Sequence, residues 1–114
     1  MTFTKTVVDI DNATFNATVN GAEISVKEHT AFIVAVKVGI LTGSATITPK
    51  VQMKMSNGAW VDFKTGTAIN ASNGVGFVEV TGFSGHAIRA VSVYGGTGSF
   101  AGTYMETQFK TPSG

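Results

Sequence analysis

The sequence contains no cysteine and only two prolines, two histidines and one tryptophan. Without cysteine the chain has no disulfide framework and no thiolate ligands for zinc. Small secreted domains often depend on disulfides, so this chain either stays in a reducing compartment or folds on its hydrophobic core alone.

Charged residues are also scarce, at 13% of the chain against about 25% in an ordinary soluble domain. Charge keeps free surfaces apart in solution, so a surface with little charge favours contact with a partner. A weakly charged monomer is the alternative. The net charge is only +1, and the basic residues are scattered. The sequence therefore predicts neither a nucleic-acid-binding stripe nor a polybasic membrane anchor.

Long apolar segments are missing as well. The longest apolar run, residues 31–36, is far too short to span a membrane. The first residues show no basic region followed by an apolar one, so no signal peptide is expected, and the protein is expected to be made and kept in the cytoplasm. With 114 residues the chain is predicted to form one domain over residues 1–110, followed by a flexible tail at 111–114.

The sequence is rich in threonine, valine and glycine, with 14 glycines. β-Branched residues favour strands, and no stretch shows the i, i+3, i+4, i+7 spacing of an amphipathic helix. Short alternating runs are separated by turn residues about every eight to twelve positions. This pattern predicts an all-β fold: a single-domain antiparallel β-sandwich, jelly-roll-like, with eight to nine strands. An immunoglobulin-like strand order is the alternative.

Two Asn-Gly pairs predict tight hairpins, because both residue types tolerate the positive φ that a type I′ turn requires. Asn20 and Gly21 would join a strand at residues 14–19 to one at 23–27. Asn57 and Gly58 would join a strand ending at residue 55 to one at 59–64. Residues 30–41 form the most apolar segment, which predicts a central strand that is buried on both faces for part of its length.

Two motifs resemble catalytic or cofactor sites. Gly96, Gly98 and Ala101 match a dinucleotide-binding fingerprint, but that fingerprint requires a following helix and a later acidic residue. The residues after Ala101 alternate like a strand, so a glycine turn is predicted instead. Ser84 and His86 lie in a near match to a nucleophile elbow, without an orienting carboxylate nearby in the sequence. The protein is therefore not expected to be an enzyme, and no cofactor is predicted.

Metal-ligating patterns are incomplete. His29 and His86 are far apart, and neither has the spacing of a metal ligand to another histidine. Asp9 and Asp11 resemble the start of a calcium loop, but Ala13 stands where an oxygen ligand is required. No metal site is predicted, although a weak calcium site built from turns stays open.

Trp60 is the only tryptophan, and it follows the second predicted hairpin turn. A domain this small needs its largest side chain inside, so Trp60 is expected to close the core. The alternative is that Trp60, Tyr94 or Tyr104 forms an exposed platform on which a sugar stacks.

Arg89 is the only arginine and lies within an apolar predicted strand. Arginine in such a strand usually pairs with a carboxylate, and Asp62 and Glu79 are the candidates. A structural role is therefore predicted for Arg89, with a place at an interface as the alternative.

The order of several segments resembles the small β-sandwich virion structural proteins of tailed bacteriophages, over roughly residues 30–105. The segments are LTGS at 41–44, VQMKMS at 51–56, NGAW at 57–60, AIRA at 87–90 and YGGTG at 94–98. In that family a longer S-x-D-G-x-x-W stretch precedes an I-R-A strand and a G-G-T turn. The shorter turn in this sequence means that no ligand at the turn is carried over from the family.

This resemblance implies a virion component made in the host cytoplasm, most simply a capsid decoration (cement) protein. Its partners would be the major capsid protein or other virion proteins. A homo-oligomer is expected, with a trimer as the first guess. The candidate contact residues are Thr2, Phe3, Thr4 and Lys5. The alternative is a carbohydrate- or receptor-binding module of a head or tail fibre.

Overall fold

The computed structural model describes residues 3–25, 31–82 and 87–110, which form ten strands and no helix. The side chains of residues 3–5 and 110 are outside this description. The strands are β1 (Phe3–Phe15), β2 (Val19–Asn20), β3 (Ile24–Ser25), β4 (Ala31–Lys37), β5 (Leu41–Gly43), β6 (Thr46–Lys54), β7 (Trp60–Thr65), β8 (Val75–Thr81), β9 (Ala87–Gly95) and β10 (Gly98–Lys110).

Two antiparallel sheets pack face to face. Sheet A has the order β1-β10-β4-β8, with β5 also paired to β10. Sheet B has the order β2-β9-β6-β7, with β3 also paired to β9. The pairs are nested along the chain, since β1 pairs with β10, β2 and β3 with β9, β4 with β8, and β6 with β7. This nesting is the wrap of a jelly roll, so the predicted all-β sandwich is confirmed.

The core lies between the two sheets, as the alternating sequence requires. On β4, the side chains of Phe32, Val34 and Val36 face inward and are buried. On β6, Ile47 and Val51 face them and are fully buried. The segment predicted as a central strand is indeed central, because β4 is paired on one side with β10 and on the other with β8.

The predicted hairpin at Asn20 and Gly21 is wrong. The strands β2 and β3 lie one after the other along the same edge of β9 and do not pair with each other. Neither Asn20 nor Gly21 has a positive φ, and the Gly21 amide donates to the Ala90 carbonyl at 2.7 Å. A Cβ added to Gly21 would lie 2.5 Å from Asp9 Oδ2. Glycine is therefore required here for close packing and not for a turn.

The predicted hairpin at Asn57 and Gly58 is present between β6 and β7. The Met55 amide donates to the Ala59 carbonyl at 2.7 Å, and the Gly58 amide donates to the Met55 carbonyl at 2.9 Å. Only Gly58 has a positive φ, of 89°, so the turn is a type I turn followed by a left-handed glycine and not the type I′ turn expected. The Asn57 carboxamide oxygen accepts from the Ala59 amide at 3.0 Å.

The strand count exceeds the predicted eight to nine for two local reasons. The edge beside β9 is interrupted at residues 21–23, which divides one strand position into β2 and β3. The short β5 adds a third neighbour to the long β10. The eight remaining positions are those of a jelly roll.

Gly98 and Gly58 give a matched test of the packing at the β5–β10 corner. Both have positive φ, but a Cβ on Gly98 would lie 2.0 Å from the Thr42 carbonyl oxygen, whereas one on Gly58 would meet nothing within 4 Å. Gly58→Ala should cost about 1–2 kcal/mol from left-handed strain. Gly98→Ala should cost about 3 kcal/mol or more, because it adds overlap with backbone. Urea unfolding measures both losses; equal losses would contradict the close approach.

Candidate interaction surfaces

Large hydrophobic side chains are exposed mainly at one side of the sandwich. Among the described residues the exposed set is Val8, Ile40, Met55, Val61, Phe63, Val75 and Phe77. Most of them lie on β7, on β8 and on the turn before β7. These two strands are edge strands of sheet B and sheet A, and they lie next to each other. Apolar exposure is therefore concentrated where the two sheet edges meet.

Lys64 joins these two edges. Its ammonium group donates to the backbone carbonyl oxygen of Glu79, so a side chain of β7 satisfies an acceptor of β8. Lysine on an edge strand is a known protection against unwanted strand pairing. The open side of the sandwich is thus closed at this point by a charged side chain.

Trp60 lies on the outer face of sheet B and is only half buried, so the predicted place in the core is wrong. Its cross-strand partner is Lys54, which also faces outward, while the neighbouring Met53 packs against the core. The Arg89 guanidinium carbon lies 4.5 Å from the centroid of the Trp60 ring. The indole is therefore covered by a stacked cation and not by the core.

Among the described residues Arg89 reaches a carboxylate only through an amide, so the predicted direct pairing with Asp62 or Glu79 is wrong. The Arg89 Nε donates to Gln52 Oε1 at 2.8 Å, and Gln52 Nε2 donates to Asp62 Oδ1 at 2.9 Å. Lys50 forms an ion pair with the same carboxylate oxygen at 2.9 Å. The hydrogen bond from Gln52, and then Lys50, hold the pKa of Asp62 below its usual value. The outer face of sheet B thus has a connected polar network.

The two tyrosines do not join Trp60. Tyr94 packs against the core, where its ring lies 5.8 Å from that of Phe15, and its hydroxyl donates to the Gly98 carbonyl at 2.7 Å. Tyr104 lies on the outer face of sheet A opposite Lys37. Partial desolvation, followed by nearby acidic groups, raises the pKa of Tyr104. The three aromatic side chains proposed as a sugar platform are therefore not brought together: one packs against the core and the other two lie on the outer faces of different sheets.

Asp9 connects the β1 edge of sheet A to the link between β2 and β3. Its Oδ1 accepts from the Ala22 amide at 3.1 Å. Its Oδ2 is buried and has no hydrogen-bond partner among the described residues. Burial raises the pKa of the Asp9 carboxyl, and the hydrogen bond from Ala22 opposes this shift only in part.

The other residues singled out from the sequence lie on the first strand, in the turn before the last strand, or outside the described residues. Phe3, Thr4 and Lys5 begin β1, which is an edge strand of sheet A, whereas Thr2 lies outside the described residues. Ser84, His29 and His86 also lie outside them. The segment with the fingerprint glycines is the turn between β9 and β10, as predicted, with positive φ at both Gly96 and Gly98.

The described residues contain neither a cluster of metal ligands nor a long apolar helix. In residues 3–25, 31–82 and 87–110, no group of three or more His, Cys, Asp or Glu side chains is arranged to hold a metal ion. The same part of the chain contains no helix of the length and apolarity needed to cross a membrane.

Comparison with known proteins gives likenesses of fold. No family model and no curated protein matches the chain. The crystal structure of the SPBc2 prophage-derived protein YomS aligns with 92% of this chain and 89% of that chain, with a TM-score of 0.54 and 14% identity. A structure of the infectious bursal disease virus Gx strain aligns with 91% of this chain and 31% of that chain, with a TM-score of 0.53 and 10% identity. At these identities the likeness concerns the fold alone.

The stacking of Arg89 on Trp60 should be measurable as an interaction energy. Arg89→Lys keeps the charge but removes the planar group and the Nε donor to Gln52. A double-mutant cycle of Arg89→Lys with Trp60→Leu, followed by urea unfolding, should give a coupling of about 0.5–1 kcal/mol. Additive losses from the two substitutions would contradict the stacking.

Asp9 should make stability depend on pH. Because its pKa in the folded protein is raised above 3.8, its favourable contribution is present below that pH and is lost as the pH rises through the folded pKa. Asp9→Asn keeps an oxygen acceptor for Ala22 and removes the buried charge. At neutral pH it should raise the free energy of unfolding, by up to about 1 kcal/mol. Below both pKa values the difference from wild type should vanish.

The control for this prediction is Asp62→Asn, because the pKa of Asp62 is shifted in the opposite direction. The contribution of Asp62 is present above pH 3.8 and is lost as the pH falls, so this variant should be the less stable protein at neutral pH. Calorimetric unfolding at several pH values compares the two variants. A change in stability of the same sign in both variants would contradict the opposite pKa shifts of Asp9 and Asp62.

Proposed function

We propose that this chain is a structural protein of a bacteriophage particle, and specifically a capsid decoration protein that binds the outer capsid surface and stabilises the shell. The observation that carries the proposal is a cysteine-free jelly roll in which only 13% of the residues are charged and in which the edge strand β1 exposes Val8. Such a surface favours burial against a partner over free solution. The fold likenesses to a prophage-derived protein and to a virus structure support this direction.

The proposed activity is binding and not catalysis. A decoration protein contacts the major capsid protein at repeated positions on the shell, so modest contacts add up through avidity. Assembly of the chain into a homo-oligomer, with a trimer as the first guess, multiplies these contacts and strengthens attachment. Jelly rolls are common in viral capsid domains, so the architecture suits the proposed position on the outer capsid surface.

We assign capsid contact to the β1 edge of sheet A. The candidate residues Thr2, Phe3, Thr4 and Lys5 precede or begin this strand, which leaves one side of its backbone unpaired within the sheet. Val8 follows on the same strand, with its side chain 44% exposed on the outer face. An open strand edge with an exposed apolar side chain offers both backbone hydrogen bonds and apolar area to a partner.

The first test is the copy number of this chain in purified particles, relative to the major coat protein, by quantitative mass spectrometry. A decoration role predicts a copy number comparable to that of the coat protein. A handful of copies per particle would instead indicate a fibre or tail module, and complete absence would overturn the virion proposal.

The second test addresses the contact surface. Val8→Asp places a charge on the β1 edge and should weaken binding to capsids that lack the protein by at least about tenfold, measured by co-sedimentation. Ile40→Asp is the matched control, since Ile40 is also exposed but lies in the connection between β4 and β5. Equal binding by both variants and the wild type would reject the β1 edge as the contact surface.

A further inference from the structure

A groove of about 380 Å³ opens beside strand β8, far from the β1 edge. Its walls are residues 67–71 and 74, from the connection between β7 and β8, and residues 75–77, from the start of β8. The volume is in the range of small-molecule sites, which are about 300–1,000 Å³. None of the lining residues carries a charge.

The connection that forms one wall is held in place by hydrogen bonds. Ile69 forms two backbone hydrogen bonds with Ile47 of β6, at 2.8 and 3.0 Å. The Asn73 amide donates to the Gly39 carbonyl at 2.8 Å. Further bonds join Gly74 and Ser72 to the chain at Val38 and Leu41. A wall that is already fixed requires little ordering when a ligand binds.

The side chain of Ile69 packs this wall against the start of β8. Its side chain is buried, and a Cβ added to Gly74 would lie 2.5 Å from its Cγ2. A Cβ on Gly76 would lie 3.1 Å from its Cδ1. The two glycines therefore let the connection approach the strand closely.

Phe77 supplies an aromatic surface at the groove. Its side chain is 58% exposed, although phenylalanine is normally buried in a domain of this kind. It lies on the outer face of β8 opposite Ala35 of β4, so a small neighbour leaves the ring uncovered on that side. An exposed ring beside a fixed wall offers a flat apolar face to a ligand.

The polar groups of the groove are uncharged. Thr67 and Asn70 are exposed, and neither side chain has a hydrogen bond to any described residue. A hydroxyl and a carboxamide both donate and accept hydrogen bonds, which suits a ligand rich in hydroxyl groups. Phosphate and carboxylate ligands are most often held by cationic side chains, and the lining offers none.

We propose that this groove binds a neutral saccharide unit. The apolar face of the sugar ring stacks on Phe77, and sugar hydroxyls form hydrogen bonds with Asn70 and Thr67. The three features that carry the assignment are the exposed ring, the uncharged polar groups and the fixed wall. They place a sugar site where sequence reasoning did not expect one, since Trp60, Tyr94 and Tyr104 take no part.

The saccharide site goes beyond capsid decoration and does not depend on it. The strands β1 and β8 are the opposite edges of sheet A, separated by three interstrand spacings or about 14 Å. A protein attached through the β1 edge therefore leaves the groove accessible. Particles carrying it would present many copies of a weak sugar site, and avidity would strengthen their attachment to a glycan-bearing surface.

The test is a titration of the ¹⁵N-labelled full chain with neutral oligosaccharides at millimolar concentration: maltotriose, cellotriose, chitotriose and lactose. Sialyllactose and sulfated lactose serve as anionic comparisons. At least one neutral sugar should shift the amide resonances of residues 67–77. Phe77→Ala should weaken that binding at least about tenfold, while Phe77→Trp should retain it. Val8→Ala, at the opposite edge, should leave it unchanged.

Three results would overturn the saccharide site. The first is no shift with any neutral sugar in the panel, and the second is shifts that Phe77→Ala leaves unaltered. The third is a change in oligomeric state on Phe77→Ala, by light scattering, without a saccharide effect, which would make the groove a contact between copies. The two proposals are tested separately, because Val8→Asp should lose capsid binding and keep normal sugar binding. Failure of the sugar titration therefore leaves the capsid proposal untouched, and the reverse also holds.

Discussion

The packing of two inner sheet faces against each other is the interaction on which the structure depends, since no disulfide supplements it. The central strands β4 and β10 of sheet A meet β6 and β9 of sheet B, and the Phe32 and Phe109 rings lie 5.7 Å apart within that core. The buried Ser92 hydroxyl donates to the Met105 sulfur at 2.9 Å, which links β9 to β10 across the sheets. Because the pairs are nested, both chain ends contribute to the same layers, and the outer faces and edges are left for other contacts.

The two sides of the sandwich, where an edge of sheet A meets an edge of sheet B, are joined by different kinds of polar contact. On one side Asp9 of β1 bonds the link between β2 and β3, and its second carboxylate oxygen is buried without a hydrogen-bond partner in the part of the chain that the structure describes. On the other side Lys64 of β7 bonds a carbonyl of β8, close to exposed apolar side chains. The first contact places a charge where water is scarce, and the second places one where water is plentiful. The contact at Asp9 therefore depends on the protonation state of a partly buried carboxyl group. The contact at Lys64 is made by an exposed ammonium group.

The sequence predicts those features that depend on neighbours along the chain. Alternation identifies the strands, and Asn57 with Gly58 identifies a hairpin, because turn and strands are local. The same dipeptide at residues 20 and 21 misleads, since β9 supplies a partner for both flanking strands and no turn is needed. The prediction that Trp60 lies in the core fails because a shift of one residue along a strand moves a side chain to the opposite face of the sheet. The groove at Phe77 has only a weak local signal, the small-residue segment before β8, and its geometry arises from contacts with β6 and residues 38–41.

The contact between Lys64 and the Glu79 carbonyl also limits how this sandwich can associate. Sheets with free edges can grow by adding strands from further copies, and such growth has no natural end. Here an incoming strand would first have to displace an ammonium group and leave it without its acceptor at the new junction. Association through side chains and faces is not subject to that cost, and it closes at a definite number of copies when the contact is symmetric. The edge formed by β7 and β8 therefore resists the addition of strands that would build a continuous ribbon.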